Sequence, residues 1–134
     1  MKKVVKVLTL CIILTGCSKK MTCTSISKSD ELDITETTYI YHTLNKIEKI
    51  ETTVKYEIKD DVITNGFNKI FEEIKEKYND DNIKKKEKIE EKKYELKVTY
   101  NPRKIKKEML EKLNSPLKLR QYKKYLETQK MICE

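Results

Sequence analysis

Apolar and polar residues alternate along this chain with two different periods, and the change of period marks out its elements. The stretch Leu32–Thr43 (LDITETTYIYHT) is rich in β-branched and aromatic residues, and residues 47–58 set Val54, Tyr56 and Ile58 against Lys55 and Glu57. A period of two belongs to a strand with one buried face. Residues 21–27 (MTCTSIS) alternate more weakly and predict a first strand, with turns at residues 28–31 and 44–46. Three strands joined by short turns make an antiparallel meander.

Over residues 61–78 the period becomes helical. Ile63, Phe67, Ile70, Phe71, Ile74 and Tyr78 share one face, and Glu and Lys fill the other. Asp61 is the expected cap, Gly66 weakens the first turn, and residues 79–82 (NDDN) end the helix. Residues 83–93 suit either a charged helix, since Lys and Glu are good helix formers, or an exposed strand. The alternation of Tyr94, Leu96, Val98 and Tyr100 with Glu95, Lys97 and Thr99 predicts a half-buried strand. It favours a hairpin of residues 83–89 and 94–100 around a turn at 90–93, with the lysines guarding a sheet edge.

Asn101-Pro102 predicts a helix start, with Asn as cap and Pro in the first position, followed by the stripe Ile105, Met109, Leu110 and Leu113. Ser115-Pro116 repeats the signal before a last helix striped by Leu119, Tyr122 and Leu126, and Met131-Ile132-Cys133 is expected as an extended tail. The pattern as a whole predicts an α+β fold. Its elements run as three strands, a helix, two strands and two helices, forming an antiparallel sheet with the helices packed on one face.

The N-terminus has a different character. Lys2, Lys3 and Lys6 surround the start of an apolar run, residues 7–14 (VLTLCIIL), of eight residues. A permanent membrane span takes about 20. A positive start, a short apolar core and small residues at its end describe an export signal. The run closes on Leu14-Thr15-Gly16-Cys17, which resembles the lipobox of bacterial lipoproteins. There the cysteine thiol is alkylated by a diacylglycerol and the chain is cut just before it. Gly16 leaves the peptidase room at the scissile bond, and Cys17 supplies the nucleophilic sulfur. The expected organisation is a signal peptide over residues 1–16, cleavage between Gly16 and Cys17, a lipidated tether over 17–22 and one α+β domain over 23–134. That domain would be held on the outer face of the cell membrane.

Export changes the reading of the cysteines. Cys11 would leave with the signal and Cys17 would carry lipid, so Cys23 and Cys133 remain. Disulfides persist outside the cytoplasm. A Cys23–Cys133 bond, closing a loop of 133 − 23 = 110 residues, is therefore expected. Loop closure of that length is worth on the order of 4–5 kcal/mol by chain entropy. Two free, buried thiols are the alternative. One histidine and two available cysteines fall short of a four-ligand zinc site, and no metal or cofactor is expected.

The formal net charge is +8, and the mature chain would keep 27 − 22 = +5 after losing three lysines. Lysine abundance beside frequent Ile, Asn and Tyr is also what AT-rich coding produces, so the charge says little about function. A basic domain can bind nucleic acid, but an exported one meets anionic lipid headgroups or wall polymers instead, and no nucleic-acid partner is expected. Lys19 and Lys20 beside the anchor, and Lys84, Lys85 and Lys86 in the hairpin, are the candidate contacts. Glu87, Glu90 and Glu91 dilute the second group toward an ordinary solvated edge.

These parts together resemble the YehR-like family of small bacterial lipoproteins of the low-GC Gram-positive type. The shared features are the lipobox at residues 14–17, the Thr22-Cys23-Thr24 start, the Thr-rich strands, one central amphipathic helix and the near-terminal Cys133. The resemblance implies an α+β fold and leaves the molecular function open.

Little in the sequence points to catalysis. His42 is the sole histidine and shares a strand face with Ile40, as packed or surface histidines do. Gly16 and Gly66 are the only glycines, too few for a phosphate loop. Tyr39, Tyr41, Tyr56, Tyr94 and Tyr100 fall in predicted strands, where cross-strand packing is the ordinary role. On an uncovered sheet face they could stack on sugars or hydrophobic ligands. The expectation is a non-enzymatic envelope binding or interaction module. The alternatives are a cell-wall hydrolase or processing enzyme, and an electrostatic binder of anionic lipid or wall polymer.

Overall fold

The computed structural model describes residues 19–115 and 117–134. The expected signal peptide, the cleavage site at Gly16 and the lipid site at Cys17 lie outside the described residues, as does Pro116. The described elements are β1 (Lys19–Lys28), β2 (Leu32–Thr43), β3 (Lys46–Ile58), α1 (Asp61–Glu76), β4 (Lys84–Glu90), β5 (Lys93–Tyr100), α2 (Lys107–Lys112), α3 (Leu119–Thr128) and β6 (Ile132–Cys133). The strands form one antiparallel sheet in the order β4-β5-β3-β2-β1-β6. The α+β class with an antiparallel sheet is as expected, and the tail adds a sixth strand that the sequence pattern did not announce.

Alternation sorts the sheet into two faces. The inner face carries cross-strand rows such as Met21–Ile40–Ile50–Tyr100 and Cys23–Thr38–Thr52–Val98. Nearly all of these side chains are buried, and Thr38 and Thr52 satisfy each other through a 3.1 Å hydroxyl contact. The outer face carries Lys, Thr, Glu and two tyrosines and has no helix over it. Its rows pair opposite charges, as Lys28 with Asp33, Glu57 with Lys93 and Lys55 with Glu95.

Helix α1 buries Phe67 and Phe71 on this inner face. The Phe67 ring lies 4.8 Å from Tyr94 and 5.2 Å from Tyr56 between centroids, with Phe71 5.1 Å from Tyr94. Burial of rings of this size is worth about 1.5–3 kcal/mol each. The Tyr94 hydroxyl donates to Asn68 Oδ1 on the same helix. The N-cap is Asp60 rather than the expected Asp61: its carboxylate accepts from Val62 N at 2.9 Å. Asp61 instead stands in the first turn and pairs with Lys92 at 2.6 Å.

The β2–β3 connection, Leu44-Asn45, is one residue tighter than expected, and Leu44 takes a left-handed φ of 54°. That turn also starts α3. Lys118, the N-cap position, makes no side-chain cap. Asn45 supplies it from across the fold: its carbonyl accepts from Leu119 N at 2.9 Å and its Oδ1 from Arg120 N at 3.0 Å.

Three further expectations are corrected. Asn101-Pro102 opens a turn and not a helix, because Asn101 Oδ1 accepts from Arg103 N and its carbonyl from Lys104 N, which closes the chain on itself. Helix α2 begins only at Lys107. Residues 83–93 form the strand half of the two readings, with a two-residue turn at Glu91-Lys92 rather than four. Residues 19–22, expected as tether, are the opening of β1, paired residue by residue with His42 back to Tyr39.

The C-terminus returns to the edge of β1. Thr22 and Glu134 exchange two backbone hydrogen bonds of 2.9 and 2.8 Å, and Cys23 stands opposite Cys133 in the next register position. Their sulfurs are 2.01 Å apart, at disulfide distance. The two sheet edges are thus unlike. The β6 edge is two residues long, and β4 is wholly exposed and rich in lysine; both blunt edge-to-edge pairing.

The remote cap gives a direct test. Asn45→Ala should destabilise the fold by about 1 kcal/mol, while Asn45→Asp, which keeps the acceptor, stays close to wild type in urea unfolding.

Candidate functional site

Helices α1 and α3 leave part of the inner face open, and a cavity of about 210 Å³ lies there. Glu36 and Thr52 come to it from β2 and β3, and Tyr100 from the end of β5. Tyr78 arrives from the segment just after α1, and Tyr122 and Tyr125 from successive turns of α3. Leu126 and Met131 add apolar surface. The positions follow from local folding. Tyr122 and Leu126 are four apart and share the buried face of α3, and Tyr122 and Tyr125 stack nearly parallel, 6.4 Å apart at 12°. The Tyr100 hydroxyl donates to Ser115 Oγ at 3.1 Å, which fixes its ring against the floor.

Glu36 is the anomaly. It occupies the inner-face row Ser25–Glu36–Val54–Leu96, where its neighbours across the sheet are a small hydroxyl and an apolar side chain. Among the described residues no ion pair or side-chain hydrogen bond reaches it. Burial raises its carboxyl above the ordinary range. Burial also raises the phenols of Tyr100, Tyr78 and Tyr122, the last two far above theirs, with the Glu36 charge adding a smaller push on Tyr78 and Tyr122. The cavity is therefore a carboxylate among neutral aromatic walls, and no lysine or arginine lines it.

A larger hollow of about 420 Å³ lies on the outer side, between Lys28, Asp33, Lys55, Glu57, Lys88 and Glu95 among others. Its charges alternate in sign across the strands and offset one another, and Asp33 is held by Lys59 at 3.1 Å. This is how a solvated sheet face is built.

The residues singled out from the sequence are scattered. Cys23 and Cys133 meet. Lys84 and Lys86 share the outer face, Lys85 points the other way, and among the described residues no ion pair engages any of the three. Glu87 is taken by Lys75 at 2.6 Å and Glu90 by Lys88 at 3.2 Å. Lys20 lies 4.8 Å over the Tyr39 ring and Lys19 stands opposite His42, four strands away from β4. His42 Nδ1 contacts the Leu44 carbonyl at 2.9 Å. The tyrosines divide: Tyr39 and Tyr41 face outward under Lys20 and Lys49, whereas Tyr56, Tyr94 and Tyr100 face inward.

Glu36, Tyr78, Tyr122 and Tyr125 were not singled out in the sequence. The signal for Glu36 was present, since it sits on the parity of Ile34, Thr38 and Ile40. Among the described residues no group of three His, Cys, Asp or Glu side chains could hold a metal ion. No helix there is long and apolar enough to cross a membrane. Comparison with protein-family models, with curated proteins and with solved structures finds no match to this chain.

A raised carboxyl makes the folded chain bind a proton more tightly than the unfolded one. Stability from Glu36 therefore rises as pH falls toward the unfolded value of about 4.3 and is lost again as pH climbs through the folded value. Burial raises the phenols that face it, Tyr56, Tyr78, Tyr100 and Tyr122, so these stay neutral over that window. The stability gap between Glu36→Gln and wild type should narrow as pH is lowered from about 8 to about 4.5, read by urea unfolding. A constant gap would mean that Glu36 is fully hydrated.

Proposed function

We propose that this chain is a membrane-anchored bacterial lipoprotein acting as a non-enzymatic binding module of the cell envelope. In this reading residues 1–16 are removed, Cys17 carries a diacylglyceryl group, and the domain stands on the outer face of the membrane, as the YehR-like resemblance implies. The observation that carries it is the pairing of Cys23 with Cys133 at disulfide distance. Such a bond persists in an exported protein, and it sits on the strand that opens two residues after the lipobox cysteine. The ligand site is the cavity over Glu36. Its phenols are held neutral by burial, so they serve ring contact and hydrogen bonding rather than nucleophilic attack.

Protein taken from its native host decides this. Its mass spectrum should show an N-terminal lipid-modified Cys17 and a Cys23–Cys133 linked peptide, and Cys17→Ser should move the protein out of the membrane fraction. Retention of Met1, or two alkylatable thiols in the untreated protein, refutes the reading.

A second reading, contact with anionic lipid or wall polymer, is supported by the unpaired Lys84 and Lys86 on the same uncovered face as Lys20 and Lys49. Unlipidated domain should then bind phosphatidylglycerol vesicles in a salt-sensitive way, and joint Lys84→Glu, Lys85→Glu and Lys86→Glu substitution should abolish it. Unchanged binding removes this reading.

A further inference from the structure

We infer that the Glu36 cavity takes a small organic cation, a quaternary ammonium or protonated amine, with its charge against the Glu36 carboxylate and its carbon shell against the tyrosine rings. This rests on the proposal that the cavity is a binding site and names what it binds.

Three observations converge on a cation. First, Glu36 lies half-buried on the inward parity of β2, between a small hydroxyl and an apolar neighbour, and meets no ion pair among the described residues; a cation beside it would offset the cost of that partial burial. The lining holds no lysine or arginine to serve as one. Secondly, the surrounding walls are aromatic: Tyr78, Tyr100, Tyr122 and Tyr125 present rings or phenol edges to the same space. Aromatic faces attract cations through their quadrupole, most strongly where water is excluded. Thirdly, the size is small. A volume of about 210 Å³ corresponds to roughly seven water molecules, below the usual range for drug-sized ligands.

A metal ion fits less well. Calcium takes six to eight oxygen ligands and magnesium near-octahedral geometry, while this cavity offers one carboxylate, the Thr52 hydroxyl, the Gln129 carboxamide and phenols. A neutral ligand would use the rings but leave the carboxylate uncompensated. Only an organic cation answers both.

Choline chloride and its neutral isostere 3,3-dimethylbutan-1-ol separate these cases. Both are titrated into the detergent-solubilised full mature protein, with ligand methyl signals followed by saturation-transfer NMR. Saturable choline binding at least tenfold tighter than that of the alcohol is expected. Glu36→Gln should weaken choline at least tenfold and leave the alcohol unchanged, and Tyr125→Phe, which keeps the ring, should stay within about threefold. Should Glu36→Gln not fold, acidification of wild type serves instead. Choline affinity falls as Glu36 takes a proton, while Tyr56, Tyr78, Tyr100 and Tyr122, whose phenols burial raises, stay neutral and the alcohol is unaffected. Equal binding of both probes overturns the cation and keeps the cavity as a binding site. Binding of neither overturns both. Choline binding indifferent to Glu36→Gln and to pH overturns the role of the carboxylate.

Discussion

All three helices lie on one side of a single sheet, and that one-sidedness governs the rest of the structure. Because strand side chains point alternately to opposite faces, one parity of each central strand must leave water and the other stays wet. Ile40, Ile50, Leu96 and Val98 are wholly buried, while Lys55, Lys97 and Lys49 line the open side. A slip of one residue in any strand would exchange the two sets. The Thr38–Thr52 hydroxyl pair and the Cys23–Cys133 pair both sit in the same row, pinning the register where the core passes from β5 to the edge.

Against that background a carboxylate on the buried parity is costly, and the fold lowers the cost without pairing it. Glu36 keeps access to a cavity and so to water. Burial raises the phenols of Tyr78, Tyr100 and Tyr122 around it, so they add no charge of their own. Strands β2, β3 and β5 and helix α3 carry most of its walls, with Tyr78 and Met131 added from the segments that follow the helices.

Much of this architecture could be read from the residues. The strands over residues 32–43, 47–58 and 94–100 and the helix after residue 60 follow from clean periods, because each element has one face that must be buried. Boundaries set by side-chain hydrogen bonds were harder. Asp60 and Asp61 are adjacent and chemically alike, and only the backbone entry angle decides which caps. Asn101 reads as a cap, yet its carboxamide closes a local turn. The cap of α3 was invisible because its acceptor, Asn45, is 75 residues upstream of Arg120. The cavity was hidden for a similar reason. Its tyrosines come from three separate segments, and no spacing along the chain connects Glu36 with Tyr78, Tyr122 and Tyr125.

The place of the C-terminal strand has a practical consequence. Since β6 lies outside β1, the first and last described residues emerge at the same margin of the sheet. The lysine-rich strand β4 lies at the opposite margin. Labels at Lys19 and after Glu134 would thus report from one margin of the sheet, and a label in the Glu91-Lys92 turn from the opposite margin.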